Sequence, residues 1–146
     1  MTNGESTDLS GVEDPRYAGF PPGFFKRVDP SSDQNFYSEP RMVTHIDSEA
    51  ISAVGELYQE LQLTGKVLDI MSSWVSHFVD PPTDLTVLGM NEAELAENKQ
   101  ATSWVRHDLN MNPKLPFEDG SFDSVVCCVS VDYLVRPIEV FDEVHR

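Results

Sequence analysis

Lys66-Val67-Leu68-Asp69-Ile70 runs into Met71-Ser72-Ser73-Trp74-Val75-Ser76-His77, and a second apolar run, Leu85-Thr86-Val87-Leu88-Gly89-Met90, follows. Each apolar run is too short for a helix. The first carries apolar residues on both alternating faces, so it reads as a strand covered from two sides, as in a parallel sheet. Downstream, Glu92 to Asn98 is a short helical segment rich in Glu and Ala, and Ser103 to His107 is a third, weaker strand. Pro113 to Gly120 is a loop with turn chemistry at Glu118-Asp119-Gly120. Phe122 to Val131 is the strongest strand pattern, with Val125, Val126, Val129 and Val131. Pro137 suits the first turn of a last helix, Ile138 to Arg146, with Val140, Phe141 and Val144 turned inward.

Upstream, Asp47 is a candidate helix N-cap with Glu49 in the first turn. Ala50, Ile51, Val54, Leu57, Tyr58 and Leu61 then recur at helical spacing on one face, and Gly65 closes the helical region. The order is helix, strand, loop, strand, helix, strand, strand, helix. That alternation predicts an α/β domain with a mostly parallel sheet. Right-handed crossovers place the first strand at its centre.

The chain has 146 residues, room for one domain and little more. Its 25 acidic against 10 basic residues give a formal charge of -15. That argues against nonspecific nucleic-acid binding and against a polybasic membrane anchor. No apolar run approaches the roughly 20 residues of a spanning helix. Met1 to Gly11 lacks the apolar core of a secretory signal. The expected location is therefore cytoplasmic. Cys127 and Cys128 are adjacent, lie in an apolar run and have no zinc-site spacing, so they read as buried thiols and no metal is expected.

Residues 1–12 read as disordered. Residues 13–46 read as an irregular arm: Pro15, Pro21, Pro22, Pro30 and Pro40 break long helices, while Tyr17, Phe20, Phe24, Phe25, Phe36 and Tyr37 are more aromatic than a linker. Residues 47–146 form the remaining, domain-like part. In an open α/β sheet, ligands bind beyond the carboxyl ends of the strands. Polar groups stand at four such ends: Asp69 with the Met71 to His77 loop, Asn91, Asp108, and Ser130 with Asp132.

These residues carry a resemblance. Val67-Leu68-Asp69-Ile70, Val87-Leu88-Gly89-Met90-Asn91, Asp108-Leu109, the segment Leu115-Pro116-Phe117-Glu118-Asp119-Gly120-Ser121-Phe122-Asp123-Ser124-Val125, and Arg136-Pro137 with Glu143-Val144-His145-Arg146 resemble the type 11 branch of the class I S-adenosylmethionine-dependent methyltransferases. The resemblance implies a Rossmann-like methyltransferase sheet, and S-adenosylmethionine as cofactor. It implies that Asp69 places the cofactor's amino-acid end and that Met71, Ser72 and Ser73 run past it. Asn91 stands where the family has an acid that clasps the ribose. Asp108 and Leu109 stand beside the adenine, and Ser130 meets the methionine portion.

Three departures go with it. The loop Met71 to His77 has no glycine, where the family has a Gly-rich turn that lets backbone approach the ligand. Asn91 replaces an acid and loses the charge-assisted part of a ribose contact. The family's sheet also continues beyond the equivalent of Arg146. The expectation is a sheet incomplete on its C-terminal side, its fourth strand a long apolar edge, in a partial or truncated domain.

The expected function is S-adenosylmethionine-dependent methyl transfer to a small-molecule acceptor. The alternatives are a non-catalytic binding module of the same fold and an inactive fragment. Methyl transfer rests on orientation and needs little acid–base machinery, so no catalytic residue is assigned. His77 reads as a general base or a packing residue, and Trp74 as packed or stacked on a ligand. His45 and Tyr37 are candidates for closing over the substrate. Asp132 and Tyr133 lie near the expected transfer site or in a surface turn. Glu118, Asp119 and Asp123 read as a solvated turn. Oligomeric state is not legible.

Overall fold

A computed structural model describes residues 14–29 and 31–146. The expectation of disorder over residues 1–12 lies outside them. Four strands, β1 (Lys66–Ile70), β2 (Asp84–Gly89), β3 (Ser103–Arg106) and β4 (Ser124–Val126), form one sheet in the order β3-β2-β1-β4. Every pairing is parallel, with Leu68 opposite Thr86 on one side and Val125 on the other. The architecture is the α/β sheet expected, with β1 inside it.

Alternation along β1 divides the core. Leu68 and Ile70 join Leu88, Leu109, Leu115, Leu134 and Val140 on one face. Val67 joins Tyr58, Phe78, Leu85, Val87 and Leu95 on the other. A fully buried leucine or valine contributes about 1.5–3 kcal/mol through area removed from water. Both faces of β1 are covered, which is why its apolar run was readable as a parallel strand.

Helix α1 (Asp33–Phe36) is a single turn in the N-terminal arm, which also holds a 3-10 turn over Pro15–Gly19. Helix α2 (Ser48–Glu60) starts where Asp47 accepts the Ala50 N–H at 2.8 Å. Its buried stripe is narrower than the spacing predicts: Tyr58 is buried, while Leu57 and Leu61 are exposed. The helix ends earlier than Gly65. Gln62 takes a left-handed φ of 53°, and Gly65, at φ 81°, turns the chain into β1.

Helices α3 (Glu92–Ala96) and α4 (Pro137–His145) flank the sheet. Pro137 opens α4, and Val140 is fully buried, but Phe141 faces solvent because it lies about 100° round the helix from Val140. The arm packs on this helix. The Tyr17 hydroxyl accepts the Ile138 N–H at 3.0 Å and donates to Glu139, and Arg16 pairs with Asp142.

The strongest apolar run yields the shortest strand. Pairing stops at Val126, Val129 is left-handed at φ 61°, and a 3-10 turn occupies Val131–Tyr133. β4 has β1 as its one neighbour, so apolar residues past Val126 find no ladder to extend. Cys127 and Cys128 are accordingly half-buried, not enclosed. The predicted turn is solvated, with Glu118, Asp119 and Asp123 exposed, and two of its acids also hold the fold. Asp123 accepts the Lys66 N–H at 2.9 Å, and Asp119 pairs with Arg146 at 2.8 Å. Among the described residues, no helix is long and apolar enough to cross a membrane.

Candidate functional site

A cavity of about 510 Å³ opens beyond the carboxyl ends of β1, β2 and β3. That volume suits a small-molecule or cofactor site. Its floor is the first half of the crossover over residues 71–83, which joins parallel β1 to β2 without a helix. Its outer wall is the arm, which brings Phe36, Tyr37, Arg41 and His45 to the opening.

Asp69 stands at the centre, near the end of β1, and is 4 % exposed. The hydroxyls of Ser72 and Ser76 donate to its Oδ2 at 2.8 and 2.7 Å. Oδ1 has no protein donor among the described residues, and the side chain lines the cavity. Burial pushes the carboxyl up to about 6, against the two serine donors, which pull it down. The group is ionised at neutral pH at a cost, and a cationic ligand would relieve that cost.

A glycine-free loop can still cradle a ligand here because its close approach is supplied elsewhere. The Ser72 carbonyl lies against Gly89, where a Cβ would sit 2.3 Å from it. The Ser72 N–H donates to the Leu88 carbonyl at 2.8 Å. Asn98 then clamps the loop, donating to Ser76 Oγ at 2.9 Å and to the Ser73 carbonyl at 3.1 Å. Gln100 holds both polar groups of the Phe78 backbone. Met71, His77 and Val129 are left-handed, at φ 54°, 60° and 61°, and all three line the cavity, while Gln62, the other such residue described, ends α2. Non-glycine residues rarely hold that conformation, a β-branched valine least of all, and such strain collects at functional sites.

Asp69, Met71, Ser72, Ser73, Asp108, Leu109 and Ser130 all lie on the cavity wall. Asn91 does not join them. Its Oδ1 accepts the Glu94 N–H at 3.1 Å as the cap of α3, and its Nδ2 donates to the Tyr37 carbonyl at 2.8 Å. Both ends of the carboxamide are engaged by the fold, and Asn91, expected at the ribose, is not on the cavity wall. The acid on that side of the wall is Glu94, 5 % exposed, whose Oε1 accepts the Arg41 N–H at 2.7 Å. The Asn91-x-x-Glu94 spacing of a capping box was the available signal for it. Here the glutamate reaches across to the arm.

Tyr37, His45, His77, Asp132 and Tyr133 line the cavity, whereas Trp74 lies outside it and donates its indole N–H to the Val43 carbonyl at 3.0 Å. His107 also lines the wall, and sequence reasoning missed it. Its Nε2 meets the Asn112 carbonyl at 2.8 Å, an acceptor, so Nε2 is the donor of that bond. Partial burial lowers the His77 imidazole below its ordinary value and keeps it neutral at neutral pH.

Residues 63–146 match the family model described as a methyltransferase domain, more than half of the chain. No curated protein and no solved structure gives a significant match.

Proposed function

The chain belongs to the class I S-adenosylmethionine-dependent methyltransferase family, and from that premise we propose that it binds S-adenosylmethionine in the strand-end cavity and methylates a small-molecule acceptor there. The observation that carries this reading is Asp69, with one oxygen fixed by two serines and the other turned to the cavity. A buried carboxylate so arranged suits an ammonium group, and the cofactor's amino-acid end carries one. The wall as a whole is acidic, with Asp33, Asp69, Glu94, Asp108 and Asp132, which suits a ligand of net positive charge.

In this reading Asp69, Met71, Ser72 and Ser73 hold the amino-acid end. Asp108 and Leu109 receive the adenine, Ser130 borders the methionine chain, and Glu94 takes over the ribose hydroxyls from Asn91. When bound, the cofactor supplies an electrophilic methyl group on sulfur. The protein's own contribution is orientation and the exclusion of water. His77, neutral by burial, and His107, whose Nε2 is turned to the Asn112 carbonyl, are the bases placed to take a proton from an acceptor that must lose one.

The test is calorimetric titration of the full chain with S-adenosylmethionine and S-adenosylhomocysteine, beside Asp69→Asn. Saturable binding that weakens at least tenfold in the variant supports the reading. No heat from a wild-type chain with a cooperative thermal transition refutes it. A non-catalytic module is the second reading, favoured by the commitment of Asn91 to the fold. Cofactor binding without any S-adenosylhomocysteine formed across an acceptor screen would select it.

A further inference from the structure

We propose that Arg41, stacked on Phe36 at the cavity mouth, is the carboxylate-recognition site for the methyl acceptor. The inference rests on the methyltransferase reading and adds to it a chemical class of substrate: a small molecule bearing a carboxylate beside an apolar or aromatic body.

Charge distribution makes Arg41 unusual. The wall carries five acids, and Arg41 is its one arginine or lysine among the described residues. In a chain this acidic, the other arginines are mostly paired: Arg16, Arg27, Arg136 and Arg146 each meet a carboxylate. Arg41 meets none among the described residues, although Glu94 is close enough to bond its backbone. The acid that would neutralise the guanidinium accepts the main-chain N–H of the same residue.

The guanidinium is also preorganised. It lies 4.1 Å from the centroid of the Phe36 ring. The contact with the ring uses none of the guanidinium's N–H groups for a carboxylate, and a guanidinium can bind a carboxylate in bidentate fashion. The arm that carries both residues is pinned to the domain. Asn91 bonds the Tyr37 carbonyl, Glu94 bonds the Arg41 N–H, and Trp74 bonds the Val43 carbonyl. The cation is held over the cavity from either side in sequence. Tyr37 and Tyr133, also on the wall, provide the apolar surface for the rest of the acceptor.

The cofactor has a carboxylate of its own, so the experiment separates the two sources. Benzoate and its neutral counterpart benzamide serve as probes, followed by saturation-transfer NMR on the full chain. Wild type, Arg41→Gln, Arg41→Lys and Phe36→Leu are compared, each with and without saturating S-adenosylhomocysteine. The expected result is benzoate binding about tenfold tighter than benzamide, the preference lost in Arg41→Gln and reduced in Arg41→Lys and Phe36→Leu. It persists when S-adenosylhomocysteine is bound. Equal binding of the two probes, or no effect of Arg41→Gln in a variant with wild-type thermal stability, overturns the site. Displacement of benzoate by S-adenosylhomocysteine overturns the assignment to the acceptor. The probes bind independently of the cofactor, so a chain that fails to bind S-adenosylhomocysteine refutes the methyltransferase reading by a separate signal.

Discussion

Replacing Asp69 by Asn should stabilise the protein while weakening its cofactor binding. The Asp69 carboxyl sits at about 6 in the fold against 3.8 for a free side chain. At 1.36 kcal/mol per unit, keeping it ionised costs on the order of 2–3 kcal/mol at neutral pH. Between about pH 4 and pH 6 the folded state holds a proton that the unfolded state has released. Wild-type stability from this group therefore falls as pH rises through that window, and the full cost persists above it. Asparagine keeps an oxygen for the hydroxyls of Ser72 and Ser76 and carries no charge to desolvate. Chemical denaturation of both proteins from pH 4 to pH 8 should show curves that converge near pH 4. They should separate by about 2–3 kcal/mol at pH 7.5, roughly 6–10 °C in melting temperature. Taking the difference cancels every other titrating group. Asp69→Asn being less stable at pH 7.5, or a gap that does not change with pH, would refute the reasoning.

Wild-type affinity for S-adenosylmethionine should fall as pH drops through about 6, tenfold per unit below it, and level off near pH 7, before the ligand's own ammonium group begins to lose its proton; calorimetry in buffers of matched ionic strength reads this directly, and a flat profile down to pH 5 counts against Asp69 as the ammonium partner. Gly89→Ala puts a Cβ 2.3 Å from the Ser72 carbonyl, so it should cost about 1–3 kcal/mol in urea denaturation and abolish cofactor binding; wild-type behaviour would mean the loop does not need that contact. Trp74→Phe removes the indole N–H that holds the Val43 carbonyl, with a loss of about 1 kcal/mol and faster proteolysis within the arm, whereas an unchanged cleavage rate would show that the tether contributes nothing.

What was legible in the sequence was the part whose signal is local. β1 was read at its true bounds, Lys66–Ile70, because a strand buried on both faces is apolar on both. The Asp47 cap was read because its geometry involves residues three apart. β4 was overestimated because an apolar run suggests a buried strand, whereas Val129 and Val131 are neither paired nor buried. Asn91 shows the same limit at the site. Its position after β2 matched a ligand-binding place, but whether its carboxamide was free depended on Tyr37, far away in sequence. Asn98 and Gln100 matter through contacts across the sheet end, which no spacing along the chain announces, and Glu94, signalled only as the end of a capping box, matters through its bond to the arm.

The helix-free crossover over residues 71–83 has a kinetic consequence. A helix carries its own backbone hydrogen bonds and can form early from neighbouring residues. This segment instead relies on Asn98 and Gln100, which lie beyond β2 and α3 and reach it only when the chain has closed back over the sheet. Closing such a loop costs entropy before any contact rewards it. The ligand cradle should therefore set late in folding, after β2 and β3 have docked, and should be among the first parts to open in the native state. Its amides, Phe78 among them, would then exchange with solvent more readily than those of β1, and a bound ligand would slow that exchange far more at the cradle than in the sheet beneath it.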